Sequence, residues 1–339
     1  MKKIKDKRGQ VDLDIGFYEN FFNADEVNCI DQPIAAYANL FSDQNYFIYC
    51  MYIIFAENWA YPFPRGFLNA RKYILDKLNL CLDIVPIDYS EIFLTTLKKN
   101  IDEKRPVILL LRRQTLVYDQ CYGDIDFDSL HGILVSGYNS KFPVICIRDA
   151  AHIERSGAIY KGSGYGLFRL WLKDELIKEM WISSNELNAG TEFANIILLI
   201  TSKKDINAEH PTFAVAIRDI LCNGSFNSNN YLVWLDKVKE DITCLKDEEV
   251  SRQLRRIFIL PKKAFFYIIR LACNEINIGI DELLALEQKY LNTQESIFNK
   301  LCIMAQKGEL LEEQKYISYT NKISLLDLEL EKFLKKYWL

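Results

Sequence analysis

The sequence predicts an α+β chain, with helices first, an antiparallel sheet after them, and a purely helical part at the end. Three observations carry this. Apolar residues recur at helical spacing between Ile30 and about Asn79. Two β-branched runs, HGILVSGYN and FPVICIRD, follow and are joined by a polar turn. From about Ala208 the strand patterns stop and helical ones continue to Tyr337. The division is placed at residues 1–204 for the α+β domain and 205–339 for the helical C-terminal domain.

With 339 residues, half of them apolar, the chain is long enough for a sizeable core and for two domains. Its 42 basic and 46 acidic side chains give a net charge of −4, so no nucleic-acid partner is expected. The N-terminal MKKIKDKRGQVDLDIGF is basic and lacks the apolar run of a signal peptide. The longest apolar stretch, Tyr46 to Ala56, is too short for a membrane span. No membrane partner is expected, and a cytoplasmic location is. The nine cysteines are odd in number and form no C-x-x-C pair, and most lie inside apolar patterns where cysteine packs as a small hydrophobe. That usage suits a reducing compartment and argues against a disulfide framework or a structural zinc. No cofactor is expected.

In order, residues 1–22 read as a charged lead-in followed by aromatics. A helix start falls at Asn28 or Asp31, with Pro33 in its first turn. Residues 46–58 and 67–79 read as helices separated by the aromatic, Pro-broken WAYPFPRGF. LCLDIVPID is a strand, 90–104 an amphipathic helix and RPVILLLRRQTLVYD a strand. DQCYGDIDFDSLH is an acidic aromatic loop running into the hairpin. A Gly-rich stretch, SGAIYKGSGYG, is a loop. It lacks the lysine and the strand–turn–helix setting of a phosphate loop. A helix is expected over Phe168–Met180 and a last strand in EFANIILLITSKK. Five helical segments fill the rest.

Chemistry concentrates in the hairpin. His131 opens its first strand and Asp149 closes its second, which puts them about 5 Å apart between Cβ atoms. Taken singly, such a histidine is usually a satisfied core residue and such an aspartate a turn former. Together they are two thirds of a nucleophilic site, the carboxylate orienting the ring. Cys29 is the candidate third member. It lies at a helix N-terminus, where the backbone N–H groups and the helix dipole favour a thiolate and should lower its pKa. Its polar flanks, Asn28 and Asp31, make it the least core-like of the nine cysteines.

The order helix Cys, strand His, strand Asp, with N-C-I-x-Q-x-x-I-A, LHGILVSGYN and VICIRDA, resembles papain-like cysteine enzymes. The nearest likeness is to the bacteriocin-processing-peptidase-like group and its butirosin-type acyltransferase branch. The resemblance covers about residues 15–202. It implies a papain-like fold with Cys29 as nucleophile, His131 as base and Asp149 as orienting group. It also implies an acyl or peptidyl carrier protein with a phosphopantetheine-bound substrate as partner. Such enzymes place a glutamine several residues before the cysteine as an oxyanion donor. Here Asn23, six positions upstream, or Asn28 takes that place, with simple helix capping as the alternative for Asn23. Gln32 reads as structural.

Two activities share this triad. One is transfer of an acyl group from a carrier thioester to a small amine or diamine, forming an amide in thiotemplated natural-product biosynthesis. A narrow apolar channel is then expected, lined by Trp59, Tyr118 and Tyr122, with Asp119, Asp124, Asp126 and Asp128 attracting a cationic amine. The other is hydrolysis by a peptidase or thioesterase. A third reading is a silent scaffold that binds a carrier protein through its helices.

Overall fold

The computed structural model describes residues 3–5, 9–13, 15, 22, 26–119, 121–126, 129–149, 168–203, 211–227, 229–247, 250–251, 254–255 and 258–339. The protein is α+β. It divides into two compact units that are not consecutive stretches. The first comprises Met1–Ala24, Asn28–Tyr46 and Ile74–Glu209, the second Asp25–Val27, Phe47–Tyr73 and His210–Leu339. Residues 47–73 thus group with the C-terminal helices. Among the described residues no helix is long and apolar enough to cross a membrane.

The first unit holds an eight-stranded sheet. Its strands are β1 (Lys3–Lys5), β2 (Gln10–Leu13), β3 (Leu80–Pro86), β4 (Val107–Arg112), β5 (Leu130–Asn139), β6 (Val144–Asp149), β7 (Phe168–Lys173) and β8 (Ile196–Ser202). Every pairing is antiparallel. β5 is the organising strand. Residues 134–139 pair with β6 on one edge. The other edge takes β4 along 130–135 and β2 along 137–139. Gly137 permits the second of these pairings, because a Cβ there would stand 2.4 Å from the Val11 carbonyl oxygen.

The helix α1 (Asp31–Ala38) packs against β5, and α4 (Ser90–Asp102) and α5 (Asp174–Leu187) pack on the sheet and on each other. Phe93 and Trp181 stack at that last contact, ring centroids 4.3 Å apart. An eight-residue helix is marginal on its own. All eight residues of α1 are buried, so tertiary burial rather than helix propensity holds it and the turn before it.

Two expectations are corrected. The lead-in contains β1 and β2, whose brevity hides them among charged residues. The helix expected from Phe168 begins instead at Asp174. FRLWLK alternates in character and fills the free edge of β6 as β7, and Asp174 and Glu175 then open α5 in the first turn, where acids suit the helix dipole.

The second unit is helical, comprising most of α2 (Asn45–Asn58), the start of α3 (Phe67–Lys77), then α6 (Phe213–Asn223), α7 (Asn229–Glu240), α8 (Leu260–Ile276), α9 (Ile280–Lys307) and α10 (Glu313–Trp338). Its core centres on Phe55, Trp59, Phe226 and Phe265.

Candidate active site

Cys29 sits half-buried in the turn just before α1, which starts at Asp31. The turn is tied by Asn28, whose Oδ1 accepts from the N–H groups of Ile30 (3.1 Å) and Asp31 (2.9 Å). Its Nδ2 donates to Asp31 Oδ2 at 2.7 Å. Asn28 therefore serves as a turn former rather than as a side chain aimed at a substrate. The other proposed oxyanion donor, Asn23, lies outside the described residues, as do Asp128, His152 and His210. Gln32 is buried and donates to the Phe22 carbonyl, a structural role.

Gly132, beside His131, is what lets this turn rest on β5. A Cβ at Gly132 would lie 3.0 Å from Ile30 Cα and from Ile30 O, and 3.3 Å from Cys29 O. A side chain there would crowd the Ile30 and Cys29 backbone. Sequence reading passed over Gly132. Its signal was the H-G dipeptide, since a glycine inside a strand marks a close backbone approach.

His131 and Asp149 are both fully buried, and Nε2 of the ring lies 2.6 Å from Asp149 Oδ1. Their meeting depends on a β-bulge. Near the turn the register pairs Gly137 with Cys146 and Asn139 with Val144. Beyond the bulge it pairs Val135 with Ile147 and Leu134 with Arg148. Ser136 is the extra residue. Continued without it, the register near the turn would set Asp149 opposite Leu134, on the face away from His131. With it, Asp149 falls opposite Ile133, on the same face as His131 and diagonal to it. The two residues are thus diagonal neighbours and not the directly opposed pair expected from the sequence. The bulge is secured by Ser136, which is buried, donates to Asp12 Oδ1 (3.3 Å) and accepts from Arg148 Nε (3.3 Å).

Electrostatics favour a protonated ring. Burial alone would lower the His131 pKa, but the charges of Asp149 and Cys29, and the hydrogen bond to Asp149, lift it well above its ordinary value of 6.5. Nε2 is committed to Asp149. Nδ1 is buried and makes no hydrogen bond of its own, and the Cys29 charge acts on the ring, so Nδ1 is the nitrogen available to that thiol. Cys29, His131 and Asp149 are therefore brought together.

The other candidates divide, with Tyr118 touching this group. Tyr118 donates its hydroxyl to Asp149 Oδ2 at 2.6 Å. Asp119 is buried and held bidentately by Arg113, Nε to Oδ2 at 3.0 Å and Nη2 to Oδ1 at 2.9 Å, and it also accepts from Cys121 N. Its charge is spent on that pair. Burial pulls the Arg113 pKa down, and Asp119, with smaller contributions from Cys121 and Cys29, holds it above its ordinary value. Asp124 and Asp126 are exposed, and Asp124 accepts from the Asp126 N–H at 3.1 Å. Tyr122 is exposed. Trp59 belongs to the core of the second unit, where its Nε1 donates to Asp327 at 3.0 Å. It offers no face to a substrate.

Comparison with models of known protein families finds no match, and comparison with curated proteins finds none either.

Proposed function

We propose that the chain is a cysteine-dependent acyltransferase of papain-like fold, working through an acyl-Cys29 intermediate. The observation that carries this reading is the fully buried His131–Asp149 pair at 2.6 Å, whose second ring nitrogen is left for Cys29. A carboxylate so placed fixes the ring orientation and favours the imidazolium that a thiolate needs as its partner. The thiolate attacks the carbonyl of a thioester carried on the phosphopantetheine arm of an acyl or peptidyl carrier protein. The carbon–sulfur bond to that arm breaks, and the departing thiolate takes the proton from His131. A small amine or diamine then attacks the acyl-Cys29 carbonyl and gives its proton to His131, and Cys29 leaves as thiolate. The product is an amide of the kind made in thiotemplated natural-product assembly. The amine wins over water only through proximity and orientation, for which effective molarities of roughly 10⁵ M and above are known.

Hydrolysis is the second reading, and one observation favours it. The buried acid expected to draw an amine, Asp119, is neutralised by Arg113. The test supplies an acylated carrier protein with and without diamines and follows products by mass spectrometry. Amide product that requires the amine and Cys29 supports the transferase. Free acid released at one rate in both arms leaves a thioesterase.

A further inference from the structure

We propose that Tyr118 is a positioning residue of this site, extending it to a four-membered chain Cys29–His131–Asp149–Tyr118 and setting how firmly His131 holds its proton. The inference rests on the triad reading above and deepens it. The two oxygens of Asp149 are divided between two partners, with His131 Nε2 at 2.6 Å from Oδ1 and the Tyr118 hydroxyl at 2.6 Å from Oδ2. Asp149 is fully buried, so water does not substitute for either partner. A buried carboxylate left short of a donor is costly, and donors to a charged acceptor are the stronger kind of hydrogen bond.

The phenol remains a donor across the accessible pH range. Burial first, then the charge of Asp149 and the hydrogen bond to it, push its pKa well above the ordinary 10.0. Tyr118 therefore acts on His131 through Asp149. It withdraws negative charge from the carboxylate, and it does so most where that charge is least compensated, beside the neutral ring. With the hydroxyl present, the neutral ring is relatively favoured and the proton is released more readily to a leaving group. Without it, the carboxylate grips the imidazolium harder. Position supports the same role. Tyr118 follows the 3₁₀ turn Arg113–Thr115 that ends β4, and the Arg113 N–H bonds to Ser129 O two residues before His131. The loop that carries the phenol is thus fastened to the strand that carries the imidazole.

The experiment uses the full chain and two variants. Tyr118→Phe removes only the hydroxyl. Replacing Tyr118 with 3-fluorotyrosine keeps the shape and makes the phenol a stronger donor. Two readouts are followed against pH: the ¹⁵N shifts of the His131 ring, which require no turnover, and the rate of Cys29 alkylation by iodoacetamide. Tyr118→Phe should raise the His131 titration by roughly one pH unit, the size expected for losing one hydrogen bond to a charged group. The alkaline limb of the alkylation profile should move the same way. Fluorotyrosine should move both downward. A packing role alone would leave both titrations in place, and coincident curves for wild type and both variants overturn the inference. If Tyr118→Phe fails to fold, the fluorotyrosine protein still decides it. Failure of the triad reading looks different, because Cys29 of the wild type would then show no preferential alkylation while the ring shifts still report the tyrosine.

Discussion

Two fully buried bases, one in each unit, lie near a carboxylate and hold their protons in opposite senses. In the first unit Asp149 touches the His131 ring directly, and the His131 pKa is lifted well above 6.5 although burial opposes it. In the second unit Lys262 is buried and its ammonium donates to the neutral Asn58 amide oxygen, 5.3 Å from the centre of the Trp59 ring. The nearby carboxylate, Asp327, takes the Trp59 indole at 3.0 Å and the Tyr290 hydroxyl at 2.5 Å on one oxygen. Burial therefore wins for the lysine, whose pKa falls from 10.5 to about 8 despite the charges of Asp327 and Glu57. Direct contact with an uncommitted carboxylate oxygen preserves a buried charge, and a carboxylate engaged with neutral donors only moderates its cost. In the proposed mechanism the first arrangement exchanges a proton with the Cys29 thiol. The second is built into a core of rings.

The comparison breaks most completely at Cys29. Cys29→Ala should abolish turnover, a loss of roughly 10³-fold or more, as for one member of a cooperating triad. The fold should survive, since the side chain is only half-buried. Residual activity at more than a small fraction of wild type, measured on a thioester substrate, would mean that the thiol and the pair beside it are unrelated. Asp149→Asn comes next. It keeps the shape but presents the ring with an amide, the situation Lys262 already has with Asn58. Turnover should fall by roughly 10²- to 10⁴-fold, and the His131 titration should drop back toward or below 6.5. Normal activity would reduce Asp149 to a strand-end residue.

A third variant tests how the thiol reaches the pair. Gly132→Ala places a Cβ 3.0 Å from the Ile30 backbone. Overpacking of this kind costs about 1–3 kcal/mol, and because an error near 1 Å in placement costs about 10²-fold in rate, a shift of a fraction of that should cost roughly several-fold. Slower alkylation and turnover with an unchanged His131 titration is the expected pattern. A rate equal to wild type would show that the turn yields without consequence.

That residue also marks where sequence reading stopped. The α+β class, the helical C-terminal part, and the chain positions of Cys29, His131 and Asp149 were legible, because periodicity, the N-C-I motif and the two β-branched runs are local signals. The bulge at Ser136 was not. It is held by Asp12 on β2, which arrives from far away in the chain, as well as by Arg148 of the hairpin itself, and it turns Asp149 to the histidine's face. Tyr118, Asp119 and Trp59 were read from composition as channel residues. In the fold each is already hydrogen-bonded, Tyr118 to Asp149, Asp119 to Arg113 and the Cys121 N–H, and Trp59 to Asp327. A loop's composition says which groups are available, and only the fold says which are already engaged.

The variant with the least effect on chemistry sharpens the comparison from its other side. Lys262→Met should leave turnover in place and change how stability depends on pH. In the wild type the folded state releases the lysine proton near pH 8, whereas the unfolded chain keeps it to 10.5. Between those values the folded state binds fewer protons, so stability rises with pH through that window, by about 3 kcal/mol in all. His131 has the opposite sign. Its stabilisation is complete below 6.5 and is lost as pH climbs through the raised value. Methionine cannot titrate, so the wild type should gain stability relative to Lys262→Met from pH 8 to 10.5. Below pH 8 the difference should be flat and small, because replacing a buried charge with an apolar chain is often near neutral. Denaturant unfolding of both proteins across pH 6.5–10.5 measures it. A difference that does not change above pH 8 would show that Lys262 keeps its proton as an exposed lysine does, and the contrast between the two buried cations would then be lost.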